Sequence, residues 1–217
     1  MLPKKLTLEH GHYSPREEWL NTSTHAVGFA LAIVGLIAMV IKSESLIENV
    51  SAWVYATSLA LMFLSSAIYH SVKSIDLRAI LRKVDHTSIY LLIAGTNTPF
   101  LLLSVGGLLG GISLVVIWSI GIAGIIFKTT IGHKYPKIGV ITYAVMGWLA
   151  LLVIYPIYQG VSAGGFALLV AGGICYSAGI PFYMMKSRHY THAVWHLFVV
   201  AGAACHFFAI YWHVIGQ

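Results

Sequence analysis

Long runs without Asp, Glu, Lys or Arg constrain the fold of this sequence more than any other feature. Three runs can each hold one membrane-spanning helix of about 20 residues, and two runs are about twice that length. The single runs are Trp19 to Ile41, Asn49 to Val72 and His189 to Gln217, and the double runs are His86 to Phe127 and Ile138 to Met185. With 58% hydrophobic residues, the 217-residue chain cannot bury its apolar side chains in one water-soluble core. The pattern predicts an all-α bundle of seven transmembrane helices.

Glycine clusters at 106–111 and 160–165 divide the two double runs, because glycine pairs mark turns. The predicted spans are approximately residues 19–41, 50–72, 84–104, 108–128, 138–158, 163–184 and 191–214. Residues 1–17 form a predicted cytoplasmic N-terminal segment, in which Ser14, Pro15 and Glu17 match a helix-capping box. We expect the whole chain, residues 1–217, to form a single integral membrane domain.

Lysine and arginine fall almost entirely on one side of the predicted bundle. Only Lys42 lies on the opposite side, and the twelve others are Lys4, Lys5, Arg16, Lys73, Arg78, Arg82, Lys83, Lys128, Lys134, Lys137, Lys186 and Arg188. Because these residues are retained in the cytoplasm during insertion, we expect a cytoplasmic N-terminus and an outside C-terminus in the plasma or inner membrane. The net charge of +6 then indicates contact with anionic membrane lipids, and no soluble basic segment indicates nucleic-acid binding.

Three histidines are predicted at compatible depths beneath the cytoplasmic surface. His70 ends the second span about 5 Å inside Lys73, while His192 and His196 begin the seventh span about 6 and 12 Å inside Arg188. Residues four apart on a helix share a face, so His192 and His196 can reach one zinc ion. A third histidine leaves the fourth zinc position open for water, as in catalytic sites. The residues alone equally allow three buried histidines that hydrogen-bond between helices.

Two further polar side chains are predicted at the same level. Asp85 opens the third span, and Ser66 lies one turn deeper than His70 on the same helix face. Near a divalent cation, Asp85 could accept a proton from water and Ser66 could stabilise an oxyanion. The alternatives are an interfacial helix cap beside Lys83 for Asp85 and simple helix packing for Ser66.

Glu18, Asn21 and His25 recur at three and four residues, so they form a polar stripe on the first helix. This stripe either anchors the helix at the interface or contacts the residues of a buried site. His206 is about 15 Å along the helix axis from His196 and cannot share its metal. We expect His206 to hydrogen-bond between helices, with a proton relay as the alternative, and the residues leave open whether His213 does more than pack.

Four motifs together resemble the hemolysin III family, the bacterial branch of the progestin and adipoQ receptor family. They are NTSTH at 21–25, SAIYH at 66–70, DHTSIY at 85–90 and HAVWH at 192–196. The resemblance covers nearly the whole chain from about Glu17 onward and keeps the order of the motifs.

The resemblance implies a zinc ion held by His70, His192 and His196, with Asp85 holding a water at the metal and Ser66 beside it. Related members are proposed to hydrolyse lipid amides such as ceramide, so a lipid from the inner leaflet becomes the expected substrate. Other members are described as receptors, haemolysins or regulators of membrane homeostasis. A zinc-dependent lipid amide hydrolase, a zinc-stabilised sensor without turnover and a membrane-disrupting protein all stay open at this point.

Overall fold

A computed structural model of the protein describes residues 13–185 and 188–217. Its helices in those ranges are α1 Pro15–Lys42, α2 Leu46–Ser71, α3 Ile75–Pro99, α4 Gly107–Thr130, α5 Pro136–Trp148, α6 Ile154–Gly160, α7 Ala163–Met184 and α8 Thr191–His213. A π-helical segment, Phe100–Val105, extends α3, and a short 3₁₀ segment, Leu149–Val153, joins α5 to α6. The described chain therefore contains seven segments long and apolar enough to cross a membrane. The predicted all-α, seven-span fold is confirmed, and the chain is a multi-pass membrane protein.

The first helix begins at the predicted capping box. The backbone N–H of Ser14 donates to Glu17 Oε2 at 2.8 Å, and Ser14 Oγ accepts from the Glu17 N–H at 3.3 Å. Glu17 Oε1 also accepts from the backbone N–H of Tyr190 at 2.7 Å, immediately before α8. The starts of α1 and α8 are thus held together at one end of the bundle, which we call the N-terminal end.

The third helix begins earlier than the predicted span. It starts at Ile75 instead of residue 84, with Ser74 as its N-cap residue. Asp85 consequently lies about three turns inside α3 and does not cap it. The residues that precede Asp85 carry several charges, which interrupt the apolar run without preventing the helix.

Glycine permits the tight turn between the third and fourth spans. Gly106 and Gly107 have φ values of 63° and 55°, in the left-handed region that strains residues with a Cβ atom. Just before this turn, Asn97 and Thr98 hydrogen-bond to the carbonyl groups of Ile93 and Ala94. The reversal is short, as the glycine cluster predicts.

The second helix lies at the centre of the packing. Tyr55 and Phe63 of α2 are almost fully buried in the largest apolar core, together with Met39 of α1 and Ile210 of α8. Gly28 of α1 permits close approach, because a Cβ atom there would lie 2.7 Å from the Phe63 ring. By contrast, α4 and the fifth and sixth spans expose most of their apolar surface, as lipid-facing helices do. The spans of α2 and α3 are the most buried, followed by those of α8 and α1. The three predicted metal-binding histidines lie on α2 and α8.

Candidate metal centre

His70, His192 and His196 converge at the N-terminal end of the bundle. One ring nitrogen from each lies within 4.8 Å of the others, and His70 Nε2 is 3.2 Å from His192 Nε2. A tetrahedral zinc ion with Zn–N distances of about 2.05 Å would hold two ligand nitrogens about 3.3 Å apart. The three side chains, which we call the histidine cluster, therefore have the spacing to hold one metal ion.

The hydrogen bonds of two rings leave Nε2 available as a ligand. His70 Nδ1 is 2.7 Å from Glu18 Oε2, and His196 Nδ1 is 3.1 Å from the carbonyl oxygen of Asn21. Because both oxygens accept, the proton is assigned to Nδ1 and the lone pair to Nε2. His196 Nε2 is buried and has no hydrogen-bond partner among the described residues. A metal cation would satisfy this atom, so the donor set fits a metal.

A carboxylate and a guanidinium orient His70. The second carboxylate oxygen of Glu18 accepts a hydrogen bond from Arg78, whose guanidinium carbon also lies 5.1 Å from the ring centre of Tyr69. The His70 side chain is fully buried, and that of Glu18 is 16% exposed. Sequence reasoning counted Arg78 only toward membrane orientation. Arg78 lies about two turns before Asp85 on the same face of the helix, and this spacing could have placed it near the site.

The polar stripe of α1 faces the histidine cluster. Asn21 is fully buried and places Nδ2 3.5 Å from His70 Nδ1. His25 stacks on His196 with ring centres 3.6 Å apart and planes 7° apart. Neither ring nitrogen of His25 has a hydrogen-bond partner in the part of the chain that the structure describes. The structure thus brings all three predicted stripe residues, Glu18 included, to the cluster.

Asp85 and Ser66 lie beside His70. Asp85 is 7% exposed, and the electrostatic neighbours of its carboxylate include His70 and Ser66. Ser66 Oγ is buried without a hydrogen-bond partner within residues 13–185 and 188–217. Both predicted side chains are therefore placed at the site, where their chemical roles stay predictions.

Aromatic rings cover the cluster. The ring centre of Tyr13 lies 4.9 Å from that of His192 and 5.9 Å from that of His70, and Trp195 lies 4.9 Å from His192. Burial raises the pKa of Tyr13 well above its usual value, so this phenol stays neutral. Sequence reasoning missed Tyr13 because it precedes the first apolar run and belongs to no motif quoted above. Tyr13 thus covers the histidine cluster at the N-terminal end of the bundle.

A largely apolar cavity extends from the site toward the membrane interior. Its volume is about 170 Å³, and its wall includes Asp85 and His25 near the cluster and Asn97 and His206 farther along. Asp85 and Asn97 are separated by about 18 Å along α3. The remaining wall comes mostly from apolar and aromatic side chains of α3, α5, α7 and α8. An extended apolar chain can lie along this cavity with one end at Asp85.

Two other histidines of α8 lie away from the cluster. His206 Nε2 is 3.1 Å from the carbonyl oxygen of Leu169 in α7, and His213 Nδ1 is 2.7 Å from Ser162 Oγ at the opposite end of the bundle. The expected interhelical hydrogen bond of His206 is confirmed.

Comparison with known proteins gives matches over nearly the entire chain. A family model described as Haemolysin-III related matches residues 13–207. Hemolysin-3 of Bacillus cereus is 40% identical over 203 residues, covering 92% of this chain and 93% of that protein. The hemolysin-3 homolog of Bacillus subtilis strain 168 is 38% identical over 206 residues, covering 94% and 97%. The human monocyte to macrophage differentiation factor is 31% identical over 210 residues, covering 93% and 87%. The matched residues run from before α1 into α8 and include the whole histidine cluster.

Proposed function

This chain belongs to the hemolysin III family, the bacterial branch of the progestin and adipoQ receptor family, and from that premise we propose that it is a zinc-dependent hydrolase of membrane lipid amides. The observation that carries the proposal is the proximity of the histidine cluster to the apolar cavity: Asp85 lines the cavity wall and has His70 and Ser66 as neighbours. A metal site, a buried carboxylate and room for an acyl chain are the three parts that such a reaction requires.

Zinc is the metal that the donor set supports best. Imidazole nitrogens suit zinc, and three protein ligands with an open fourth position are typical of catalytic zinc. When bound to His70, His192 and His196, zinc would lower the pKa of water toward about 7 and polarise a carbonyl group. Glu18 and Asn21 keep the rings oriented for this role through the hydrogen bonds at Nδ1.

Asp85 and Ser66 supply the proton transfer and the charge stabilisation. Asp85 accepts a proton as water attacks the amide carbonyl, since its carboxylate lines the cavity beside His70. Ser66 donates its hydroxyl to the carbonyl oxygen as negative charge develops there, because Ser66 Oγ is buried beside the carboxylate of Asp85. The proton on Asp85 then passes to the leaving amine nitrogen. The products are a fatty acid and an amine.

The cavity accounts for a lipid substrate. Its wall is apolar apart from a few side chains, so an acyl chain can bind there while the amide group remains at the histidine cluster. With the N-terminal end of the bundle in the cytoplasm, that amide would come from the inner leaflet.

Metal analysis combined with lipid mass spectrometry tests the proposal. Purified wild-type protein should contain about one zinc per chain, whereas His196→Ala should lose zinc and turnover together. Asp85→Asn should retain zinc but lose release of fatty acid from an N-acyl lipid panel that includes ceramide. His213→Ala is the matched control, since it removes a histidine of the same helix at the opposite end of the bundle.

Other outcomes would select other functions. Zinc at wild-type level with no product from any lipid would refute hydrolysis and favour a zinc-stabilised sensor or a regulator of membrane homeostasis. Leakage of dye from protein-containing vesicles that persists in Asp85→Asn would favour membrane disruption. Wild-type protein without zinc after purification in zinc-containing buffer would refute the metal site itself.

A further inference from the structure

The cavity wall contains, far from the histidine cluster, a polar group that amide hydrolysis does not use. His206 is 8% exposed and lines the cavity wall, about 15 Å along the axis of α8 from His196. Its Nε2 lies 3.1 Å from the carbonyl oxygen of Leu169. Because a carbonyl only accepts, Nε2 carries the ring proton and Nδ1 presents a lone pair.

Nδ1 of His206 is a buried acceptor without a donor. It has no hydrogen-bond partner among the residues that the structure describes. The ring edge with Nε2 and Cδ2 packs on Gly172 of α7, where an added Cβ atom would collide with it, so Nδ1 lies on the edge directed away from α7. Proteins leave few buried acceptors unpaired, because an unpaired acceptor destabilises the fold. A molecule in the cavity is therefore the expected source of the missing donor.

Neighbouring polar side chains do not supply that donor, and these include Tyr176, whose ring centre lies 5.5 Å from that of His206. Ser177 Oγ donates to the Gly173 carbonyl at 2.8 Å, and Asn97 Nδ2 donates to the Ile93 carbonyl at 2.8 Å. Met62 and Val199, which also line the cavity, have no donor on their side chains. A buried water needs two to four polar partners, so this mostly apolar wall favours an apolar ligand with one donor group.

We propose that the cavity binds an acyl chain with a hydroxyl group in its middle, and that His206 Nδ1 accepts the hydrogen bond of that hydroxyl. This inference rests on the proposed function, because it places the carbonyl end of the chain at the histidine cluster. With bonds of about 1.5 Å, an extended chain advances about 1.3 Å per carbon. The axial separation of about 15 Å corresponds to about 12 carbons, or to about 9 once the length of a hydrogen bond is subtracted, so the hydroxyl lies about 9 to 12 carbons from the carbonyl.

Competition binding with three fatty acids tests the hydroxyl site on the intact, zinc-loaded protein. Unlabelled octadecanoic, 12-hydroxyoctadecanoic and 2-hydroxyoctadecanoic acids would each displace radiolabelled octadecanoic acid from protein in detergent. Wild-type protein should bind the 12-hydroxy acid about 2- to 12-fold more tightly than octadecanoic acid, the range expected for one net hydrogen bond. The 2-hydroxy acid, whose hydroxyl stays at the carboxyl end, is the positional control.

Two variants remove the acceptor in different ways. His206→Phe keeps a ring against Gly172, and His206→Leu keeps a branched apolar side chain there; neither side chain has a hydrogen-bond acceptor. Each should lose the preference for the 12-hydroxy acid over octadecanoic acid, a ratio that is measured within each variant and is therefore independent of any change in its affinity for the unsubstituted chain. Using two variants preserves the test if one fails to fold.

The possible failures can be told apart. Equal wild-type affinity for octadecanoic and 12-hydroxyoctadecanoic acids, or a preference that survives in His206→Phe, would overturn the hydroxyl site and leave amide hydrolysis untouched. Absence of binding by all three acids would overturn acyl occupancy of the cavity and this inference with it. Loss of zinc or turnover is measured separately on the wild-type protein and concerns only the proposed function.

Discussion

Replacing Glu18 with glutamine should weaken metal binding although Glu18 is not a predicted metal ligand. Its carboxylate holds His70 Nδ1 at 2.7 Å and accepts from Arg78 through its other oxygen. The change Glu18→Gln keeps the shape of the side chain but removes the negative charge that strengthens the hydrogen bond to His70. It also leaves the Arg78 side chain, only 21% exposed, without its carboxylate partner.

The expected loss of metal affinity follows from the role of groups that orient metal-bound histidines. Removing such a partner typically lowers metal affinity 10- to 100-fold, which corresponds to about 1.4–2.7 kcal/mol. We expect the zinc dissociation constant of Glu18→Gln to rise within that range. His70 should still bind, because the amide oxygen of glutamine can accept from Nδ1.

Zinc titration in competition with a chelator of known affinity measures this change. Glu48→Gln is the matched control, since Glu48 lies at the start of α2 at the opposite end of the bundle and accepts a backbone hydrogen bond from Glu44. A dissociation constant for Glu18→Gln within twofold of the wild-type value would refute the orienting role. Equal weakening in Glu48→Gln would show a general loss of stability instead.

Two further predictions concern packing and orientation. Gly28→Ala should lower the free energy of unfolding by about 1–3 kcal/mol in detergent, because the new methyl group would collide with Phe63. Gly111→Ala is the control and should not destabilise the protein, because its methyl group would meet no atom within 4 Å. Equal stabilities in a denaturant titration would contradict the close approach of α1 and α2. A C-terminal fusion to alkaline phosphatase should be active and one to green fluorescent protein dark, because the distribution of Lys and Arg places the C-terminus outside. A fluorescent fusion would show that the C-terminus is cytoplasmic and would contradict the predicted orientation.

The seven spans were predictable because the bilayer limits which residues a membrane-spanning helix can contain. A bilayer excludes charges from about 20 residues at a time, so the spacing of Lys, Arg, Asp and Glu translates directly into helices. The start of α3 was not predictable in this way. Arg78, Arg82 and Lys83 interrupt the apolar run, yet the helix begins at Ile75 because helix formation does not require an apolar environment.

The histidine cluster was partly predictable from depth. The distance of each histidine from the nearest predicted membrane boundary gave the three histidines compatible depths in the membrane, and the fold brings them together. Depth gives no rotation about the helix axis, so the contacts of Glu18 with Arg78 and of Tyr13 with His192 could not be assigned from sequence alone. Those contacts depend on how helices distant in sequence face each other.

The acidic side chains near the cluster favour a reactive metal site over a structural one. Glu17 is held by the backbone N–H of Tyr190, and Glu18 is held by His70 and Arg78, so both already stabilise or orient other groups. Asp85 instead lines the cavity. A structural zinc is usually enclosed by four protein ligands, whereas the described residues offer three nitrogens next to a carboxylate and an open apolar cavity. In the proposed zinc site, the fourth coordination position is therefore best suited to a reactant. For this reason Asp85→Asn should keep metal binding and lose turnover.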